Sequence, residues 1–198
     1  MRHNSSMIKV WDPLVRIFHW ALVLAFMVAY ISEEDFLSIH SFAGYTVLGL
    51  LIFRLLWGVI GTRHARFSDF IYSPATIKQF VKDTLTLKAK RYLGHNPAGG
   101  AMIVLMIISL LITSVSGIAV YGAEEQLGPM AGWFSYGFWG EAFEELHEFF
   151  ANFTLLLVFI HVSGVIIESL IHKENLVKSM VDGLKRSTTD PKTSGEAK

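Results

Sequence analysis

Long stretches of almost uninterrupted apolar residues dominate the chain and occur four times, over residues 14–32, 39–61, 97–121 and 147–171. Each reaches the length of about 20 residues that an α-helix needs to cross a hydrocarbon layer of about 30 Å. Because lipid cannot satisfy an exposed backbone, these segments predict an all-α integral membrane protein, a four-helix bundle. The first stretch lacks a small-residue cleavage site and leads into the second, so we expect a membrane span rather than a signal peptide.

The segment between the second and third spans has a different pattern, with apolar residues at helical spacing among lysines. Ile77, Phe80 and Leu85 follow Ser73-Pro74, a typical N-cap with proline at the first helical position. We therefore expect a short helix lying on the cytoplasmic membrane surface.

Polar and aromatic residues mark the ends of the other elements. Asn96 precedes Pro97 and is a candidate cap for the third span. The aromatic residues within 132–140 predict an interfacial cluster, followed by a helical extension of the fourth span. We expect one membrane domain over residues 1–185 and a polar, disordered cytoplasmic tail over residues 186–198.

Composition narrows the possible chemistry. The chain has 198 residues, 52% of them hydrophobic and 17% charged, and it contains no cysteine. The lack of cysteine excludes disulfides, iron–sulfur clusters, thiolate zinc sites and covalently attached c-type haem. Any metal or cofactor must therefore be held by histidine, carboxylate or methionine.

The 17 basic and 17 acidic residues balance overall but are segregated along the chain. Every lysine and all arginines except Arg54 lie in the N-terminal segment up to Arg16, between the second and third spans, or after the fourth, whereas the charged residues of the two other connections are all acidic. By the positive-inside rule, both termini and the middle segment are cytoplasmic and the acidic turns face the other side.

Four of the eight histidines lie in or at the ends of spans: His19, His40, His147 and His161. Ionisable residues in a membrane are costly and often functional, although each alone could be a neutral helix-packing residue. His147 and His161 are 14 residues apart, on nearly the same helix face and separated by about 21 Å. Because the span directions alternate, depth pairs His40 with His147 on the outer side and His19 with His161 on the inner side.

Two imidazoles from two helices suit the axial positions of a six-coordinate haem iron. Zinc fits less well, because it requires three or four ligands at one depth. The sequence HEFF that begins at His147 also lacks the second histidine of the H-E-x-x-H motif.

Other residues near these pairs suit a flat, anionic cofactor. Arg54 lies 14 residues after His40, so we expect it to meet a haem propionate at the inner pair, with snorkelling to the interface as the alternative. Arg16, one turn before His19, is either a second propionate partner or an ordinary positive-inside residue. Small residues leave room for a macrocycle or for close helix packing at Gly44, Gly117 and Gly164.

The remaining histidines lie in basic segments, and we expect them to be solvated or at headgroup level; they are His3, His64, His95 and His172. Glu168 is the one acidic residue within a span, seven residues after His161 on the same face. We expect its carboxylate to lie at the interface and to pair with a nearby lysine.

Three segments carry a family resemblance: VWDPLVRIFHW (10–20), HSFAGYTVLGLLIFRLLWGVIGTRHARFSDF (40–70) and RYLGHNPAGGAM (91–102). Up to about residue 185 the chain resembles the bacterial cytochrome b561 family, which includes the membrane cytochrome b subunits of nickel-iron hydrogenases. The resemblance implies two non-covalent b haems. Matched residue by residue, it implies that their ligands are His19, His40, His147 and His161, paired as above.

The resemblance also implies electron transfer in a bacterial inner membrane, between the quinone pool and a periplasmic redox partner such as a c-type cytochrome. Such a protein is an electron carrier or a quinone oxidoreductase. We expect quinone near one haem, with Arg63, His64 and Arg66 as one candidate region. The expected partners are membrane lipid, quinone and a separate redox protein, without nucleic acid.

Two alternatives stay open from the sequence. One is the membrane-anchoring cytochrome b subunit of a hydrogenase-like oxidoreductase complex. The other is a haem-free four-span transporter that uses its histidines for protons.

Overall fold

The computed structural model describes residues 6–33, 36–134 and 137–187. Helices dominate these residues, and two very short strands lie near the chain termini. In chain order the elements are β1 (Met7–Lys9), α1 (Pro13–Ser32), α2 (Leu37–Ile60), a 3-10 turn (Arg63–Ala65), α3 (Phe67–Phe70), α4 (Pro74–Leu85), α5 (Pro97–Glu124), α6 (Phe138–His172), α7 (Leu176–Asp182) and β2 (Leu184–Arg186).

Four of these helices, α1, α2, α5 and α6, are long and apolar enough to cross a membrane. They correspond to the four predicted spans, so the predicted all-α membrane bundle is confirmed. α6 has 35 residues and begins at Phe138, so the helical extension expected ahead of the fourth span is present. At 1.5 Å per residue it is about 52 Å long, well beyond the hydrocarbon layer.

Three of the helices begin with a side-chain cap followed by proline. Asp12 Oδ1 accepts a hydrogen bond from the Val15 amide at the start of α1, and Asn96 Oδ1 accepts one from Gly99 at the start of α5. Ser73 caps α4 in the same way, so the predicted short amphipathic helix is present. In each case proline follows the cap, where its missing N–H has no partner to lose.

The four long helices pack as two antiparallel pairs, α1 with α2 and α5 with α6, and α2 contacts α5 between them. A buried apolar cluster fills the middle of the bundle: Ala25, Phe26, Val47, Leu51, Ile107 and Leu110. Many large apolar side chains on the outer faces are exposed, among them Leu24, Val59 and Phe159. This arrangement suits a bundle whose surroundings are lipid rather than water.

The charged segments lie at opposite ends of the bundle, because successive long helices run in opposite directions. We call the end with residues 6–12, 61–96 and 173–187 the basic end, and the end with residues 33, 36, 125–134 and 137 the acidic end. Residues 34–35 and 135–136, which belong to the expected acidic turn and aromatic cluster, lie outside the described residues. Within that aromatic segment Trp133, Phe138 and Trp139 are exposed.

A two-stranded antiparallel sheet closes the basic end, with Ile8 opposite Lys185. We call this pair of strands the terminal strap. Ser187 continues it by donating its backbone N–H to the Ser6 carbonyl. The tail expected from residue 186 therefore begins within β2, and its remaining residues, 188–198, lie outside the described residues.

Candidate functional site: two pairs of histidines

One pair of imidazoles lies toward the acidic end, where α2 begins and α6 passes it. The ring centres of His40 and His147 are 5.8 Å apart and their planes are inclined at 75°. His40 Nδ1 lies 2.9 Å from the Ala29 carbonyl oxygen, and His147 Nδ1 lies 2.8 Å from that of Thr113. A ring nitrogen facing a carbonyl must be the protonated donor, so each ring keeps the lone pair on Nε2.

This geometry fits two ligands on opposite sides of one metal ion. With metal–nitrogen bonds of about 2 Å, two such ring centres lie about 6 Å apart. The hydrogen bond at Nδ1 fixes the tautomer and the ring orientation that a ligating histidine requires. The pair can therefore hold a six-coordinate haem iron, and the residues fit that group.

Gly117 on α5 makes room for one of these rings. A Cβ atom at this position would lie 2.7 Å from His147 Cε1 and 2.8 Å from Nδ1. The absence of a side chain here therefore lets the His147 ring lie against α5. At Gly44 and Gly164, by contrast, an added Cβ would meet nothing within 4 Å.

The second pair, His19 on α1 and His161 on α6, lies toward the basic end. His19 Nδ1 is buried and has no hydrogen-bond partner among the described residues. His19 thus lacks the hydrogen bond from Nδ1 to a backbone carbonyl that both rings of the first pair make.

The two pairs are separated along the bundle by the central apolar cluster. On α2, Val47 and Leu51 lie between the level of His40 and that of Arg54. On α6, Leu155 and Val158 lie between His147 and His161 and pack against the same cluster. The space between the two levels is therefore packed with apolar side chains.

Arg54 is 3% exposed and lies at the level of the second pair. Its Nη1 donates to the Ala65 carbonyl at 3.0 Å, and the guanidinium lies over the rings of Phe67 and Phe70. No carboxylate of the described residues is within ion-pair distance of it. Residues 65, 67 and 70, which follow the end of α2, thus surround the Arg54 guanidinium.

Arg16 lies three residues before His19, at the basic end of α1. Its Nη1 donates to the Asp182 carbonyl at 2.9 Å, whereas its Nε is buried without a hydrogen-bond partner among the described residues. One N–H of this guanidinium is therefore available to a further acceptor.

His95 was expected to be solvated or at headgroup level, and this expectation is wrong. Its ring lies 4.5 Å from that of Trp11 and 4.7 Å from that of Phe70, measured between centres, and its Nδ1 is buried without a partner among the described residues. Burial lowers its pKa to about 3, assisted by the charges of Arg54, Lys185, His64 and His161. Its sequence neighbours are polar or glycine, and only the adjacent Asn96-Pro97 cap indicates a fixed position.

Two other histidines pair with carboxylates. His64 Nδ1 lies 2.9 Å from Asp69 Oδ2, and His172 Nε2 lies 3.3 Å from Glu168 Oε2. The expectation that Glu168 pairs with a lysine is wrong, because one turn of α6 brings His172 against it instead. His3 lies outside the described residues.

A cavity of about 300 Å³ opens at the basic end. Its lining includes Arg63, His64, Asp69, Tyr72, Tyr92 and His95. Of the residues expected near quinone, Arg63 and His64 line this cavity. Arg66 does not, because its Nε donates to the Gly61 carbonyl at 2.8 Å.

Comparison with known proteins gives one family and several relatives. The family described as prokaryotic cytochrome b561 matches residues 10–183. A probable Ni/Fe-hydrogenase B-type cytochrome subunit of Rhizobium leguminosarum bv. viciae is 25% identical over 213 residues, covering 89% of this chain and 87% of the relative. A protein of the same description from Cupriavidus necator is 26% identical, with coverages of 88% and 85%. The corresponding protein of Azotobacter vinelandii is 22% identical, with coverages of 91% and 89%. No solved structure matches the chain.

Proposed function

The chain belongs to the prokaryotic cytochrome b561 family, and from this premise we propose that it binds two b haems and moves electrons between the quinone pool and a periplasmic redox partner. Membership makes it a multi-pass membrane cytochrome of the b type. Our proposal adds that the chain holds two haems, that it lies in a bacterial inner membrane, and that it exchanges electrons with quinone and with a periplasmic partner.

The arrangement of His40 and His147 carries this proposal. Their Nδ1 atoms are engaged by the carbonyls of Ala29 and Thr113, so both Nε2 atoms are available as ligands. Bound haem b would supply an iron that gains and loses one electron between these rings. The chain contributes the ligands, their orientation and an apolar interior that excludes water.

His19 and His161 are the proposed ligands of the second haem. Both come from helices that also border the first pair, so two haems would follow one another along the bundle. Arg54 and Arg16 are the proposed propionate partners at this level, since each offers a guanidinium without a carboxylate partner among the described residues. The histidine spacing on α6 puts the two irons about 20 Å apart.

Haem quantification on the purified protein and on single alanine variants tests this assignment. Wild type should contain two haems per chain and a dithionite-reduced b-type α band. His40→Ala and His147→Ala should each remove the same haem, and His19→Ala and His161→Ala the other. His172→Ala, which changes a histidine outside both pairs, is the control and should retain two. A common haem lost in His19→Ala and His147→Ala would contradict the pairing, and a wild type without an α band would overturn both cytochrome functions.

We place quinone exchange at the basic end and the protein partner at the acidic end, with both chain termini cytoplasmic. The cavity beside His64 and Tyr72 has a size suited to a quinone head group and is lined by hydrogen-bonding side chains. Substitution of His64 by Gln should slow electron transfer from quinol more than it slows reduction by dithionite. Equal effects on the two reactions would argue against quinone in this cavity.

The acidic end suits a partner with a lysine-rich docking patch. Glu141, Glu144, Glu145 and Glu148 are exposed on the first turns of α6, ahead of and at the start of the fourth predicted span. Opposite charges steer association, so binding of a basic c-type cytochrome should weaken as ionic strength rises. Binding that does not depend on salt would contradict this docking surface.

A second candidate is supported by the names of the relatives, which are described as probable hydrogenase cytochrome subunits. In that case the chain would anchor a metalloenzyme and accept its electrons directly. Co-purification with a peripheral oxidoreductase that survives a high-salt wash would favour this role. Isolation as a separate cytochrome would favour the mobile-partner function.

A further inference from the structure

Lys185 is a buried cation that no sequence motif singles out. It lies at the centre of strand β2, is 5% exposed, and holds its ammonium 5.6 Å from the centre of the Trp11 ring. Among the described residues its ammonium makes no hydrogen bond and no ion pair within 4 Å. Burial lowers the pKa of Lys185, and the nearby Arg91 lowers it further, against the opposing effects of Glu174 and Glu168.

The nearest carboxylates have other partners. The Glu174 carboxylate accepts hydrogen bonds from Nε and Nη2 of Arg91 and from the backbone N–H of Arg186. Glu168 lies against His172 through Oε2, whereas its Oε1 is buried without a hydrogen-bond partner among the described residues. Neither carboxylate comes within 4 Å of the Lys185 ammonium, so an anion placed beside this cation would be stabilised.

The terminal strap brings this ammonium to the level of the second histidine pair. The backbone N–H groups of Val10 and Trp11 donate hydrogen bonds to the Gly183 carbonyl. These bonds fix the start of β2 against the start of α1. Arg16 packs against Gly183, where an added Cβ would lie 2.8 Å from its Nη1. Lys185 and Arg16 are thereby held at the same end of the bundle, and the latter lies one turn from His19.

The His95 ring also lies near Lys185, because both contact Trp11. Its ring centre lies 4.5 Å from that of Trp11, the ring that also has the Lys185 ammonium 5.6 Å from its centre. Arg16, with its Nε lacking a partner among the described residues, and Lys185 are thus held at the end of the bundle toward which His19 and His161 lie. The propionates of a haem held by that pair would offer carboxylates to both cations.

We propose that Lys185, carried by the terminal strap and acting with Arg16, binds a propionate of the haem held by His19 and His161. This inference rests on the proposed function, because it requires haem at that pair. It gives the strap a role in tuning the cofactor, since a cation beside a propionate favours the reduced, less positively charged haem. Removal of the charge should stabilise the oxidised haem and lower its midpoint potential.

The test is a spectroelectrochemical titration of the purified holoprotein. Lys185→Met should shift the reduction equilibrium of one haem toward the oxidised state by about tenfold, which is about 59 mV for a one-electron couple. The other haem should keep its potential. Lys185→Arg, which retains the cation, should restore the wild-type value, and Lys178→Met, which removes an exposed charge at the same end, should leave both potentials unchanged.

A second background assigns the shift to one site. In His147→Ala, which is expected to retain only the haem of the second pair, Lys185→Met should still lower the remaining potential. If Lys185→Met does not accumulate, Lys185→Gln removes the same charge with a polar side chain and is titrated instead. Unchanged potentials in a charge-removing variant that retains both haems would overturn the role of Lys185 while leaving the cytochrome function intact. A wild type without b-type absorption would overturn the function itself.

Discussion

A neutral imidazole has one donor nitrogen and one acceptor nitrogen, so the partner of one decides the use of the other. In His40 and His147 backbone carbonyls engage Nδ1, so the lone pair is on Nε2. His19 has no such anchor among the described residues. Backbone carbonyls therefore orient both rings of the pair toward the acidic end, whereas the described residues provide no such contact at Nδ1 of His19.

Substitution of Gly117 by Ala should disturb the anchored pair. The added methyl group would meet the His147 ring at 2.7 Å, too close for a carbon contact, so the ring must move from the Thr113 carbonyl. We expect loss of most of one haem and a destabilisation of about 1–3 kcal/mol. Haem content per chain and thermal unfolding measure this.

Gly49→Ala is the matched control, because an added Cβ at this exposed position of α2 meets nothing within 4 Å. It should retain both haems, with stability unchanged or slightly increased by the better helix propensity of alanine. Equal haem content in the two variants would show that Gly117 does not position His147.

His95 should make the protein sensitive to acid. Its pKa is about 3 in the folded protein, mainly because of burial, and near 6.5 in the unfolded chain. Below pH 6.5 the unfolded state therefore binds a proton that the folded state does not, and the free energy of unfolding falls by at most about 1.4 kcal/mol per pH unit down to about pH 3. Thermal unfolding between pH 4 and 7.5 should show a shallower loss of stability in His95→Gln than in wild type. Parallel pH profiles would contradict the neutral, buried state of His95.

Among the secondary-structure elements, Asp12 joins the beginning of α1 to the end of α2. One carboxylate oxygen caps α1, and the other accepts hydrogen bonds from Thr62 at 2.6 Å and from Trp57 at 3.3 Å. Burial raises the pKa of Asp12, but these hydrogen bonds outweigh it, so the pKa lies below its ordinary value. The carboxylate is thus ionised in the folded protein at neutral pH.

Asp12→Ala should destabilise the bundle by about 2–3 kcal/mol, because it removes a helix cap and leaves the Trp57 and Thr62 donors without their acceptor. Unfolding in detergent, followed by circular dichroism, measures the change. Asp83→Ala, on the surface of α4, is the comparison and should cost less than about 0.5 kcal/mol. Similar costs at the two positions would mean that Asp12 does not join the helices.

The sequence predicts elements well where one local signal is sufficient. Four apolar stretches define the long helices, and Ser73 and Asn96 mark helix starts, because hydrophobic length and cap chemistry depend on neighbouring residues only. The terminal strap escapes this kind of prediction, since strands of three residues in polar segments have no periodicity and form only when the two ends of the chain meet. The burial of Lys185 and of Nδ1 of His95 is missed for the same reason: distant elements, above all Trp11, create their surroundings.

For the whole molecule, the zero net charge conceals a strong polarity. Apart from Arg54 and Arg16, which lie on α2 and at the start of α1, the 17 basic residues lie in segments at the basic end or in the terminal residues 1–5 and 188–198, whereas all charged residues of the connections at the acidic end are acidic. Such a distribution both orients a membrane protein during insertion and attracts partners of opposite charge to its two faces. Orientation and partner choice are thus consequences of one feature.

The orientation can be tested with single cysteines, because the chain contains none. Thr86 at the basic end and Glu125 at the acidic end are both exposed, so either can be replaced by Cys with little effect on packing. With the basic end cytoplasmic, a membrane-impermeant maleimide added to intact spheroplasts should label Glu125→Cys and leave Thr86→Cys unlabelled. After lysis both should react, which controls for accessibility. Labelling of Thr86→Cys alone in intact cells would invert the bundle, and quinone exchange and partner docking would then change sides.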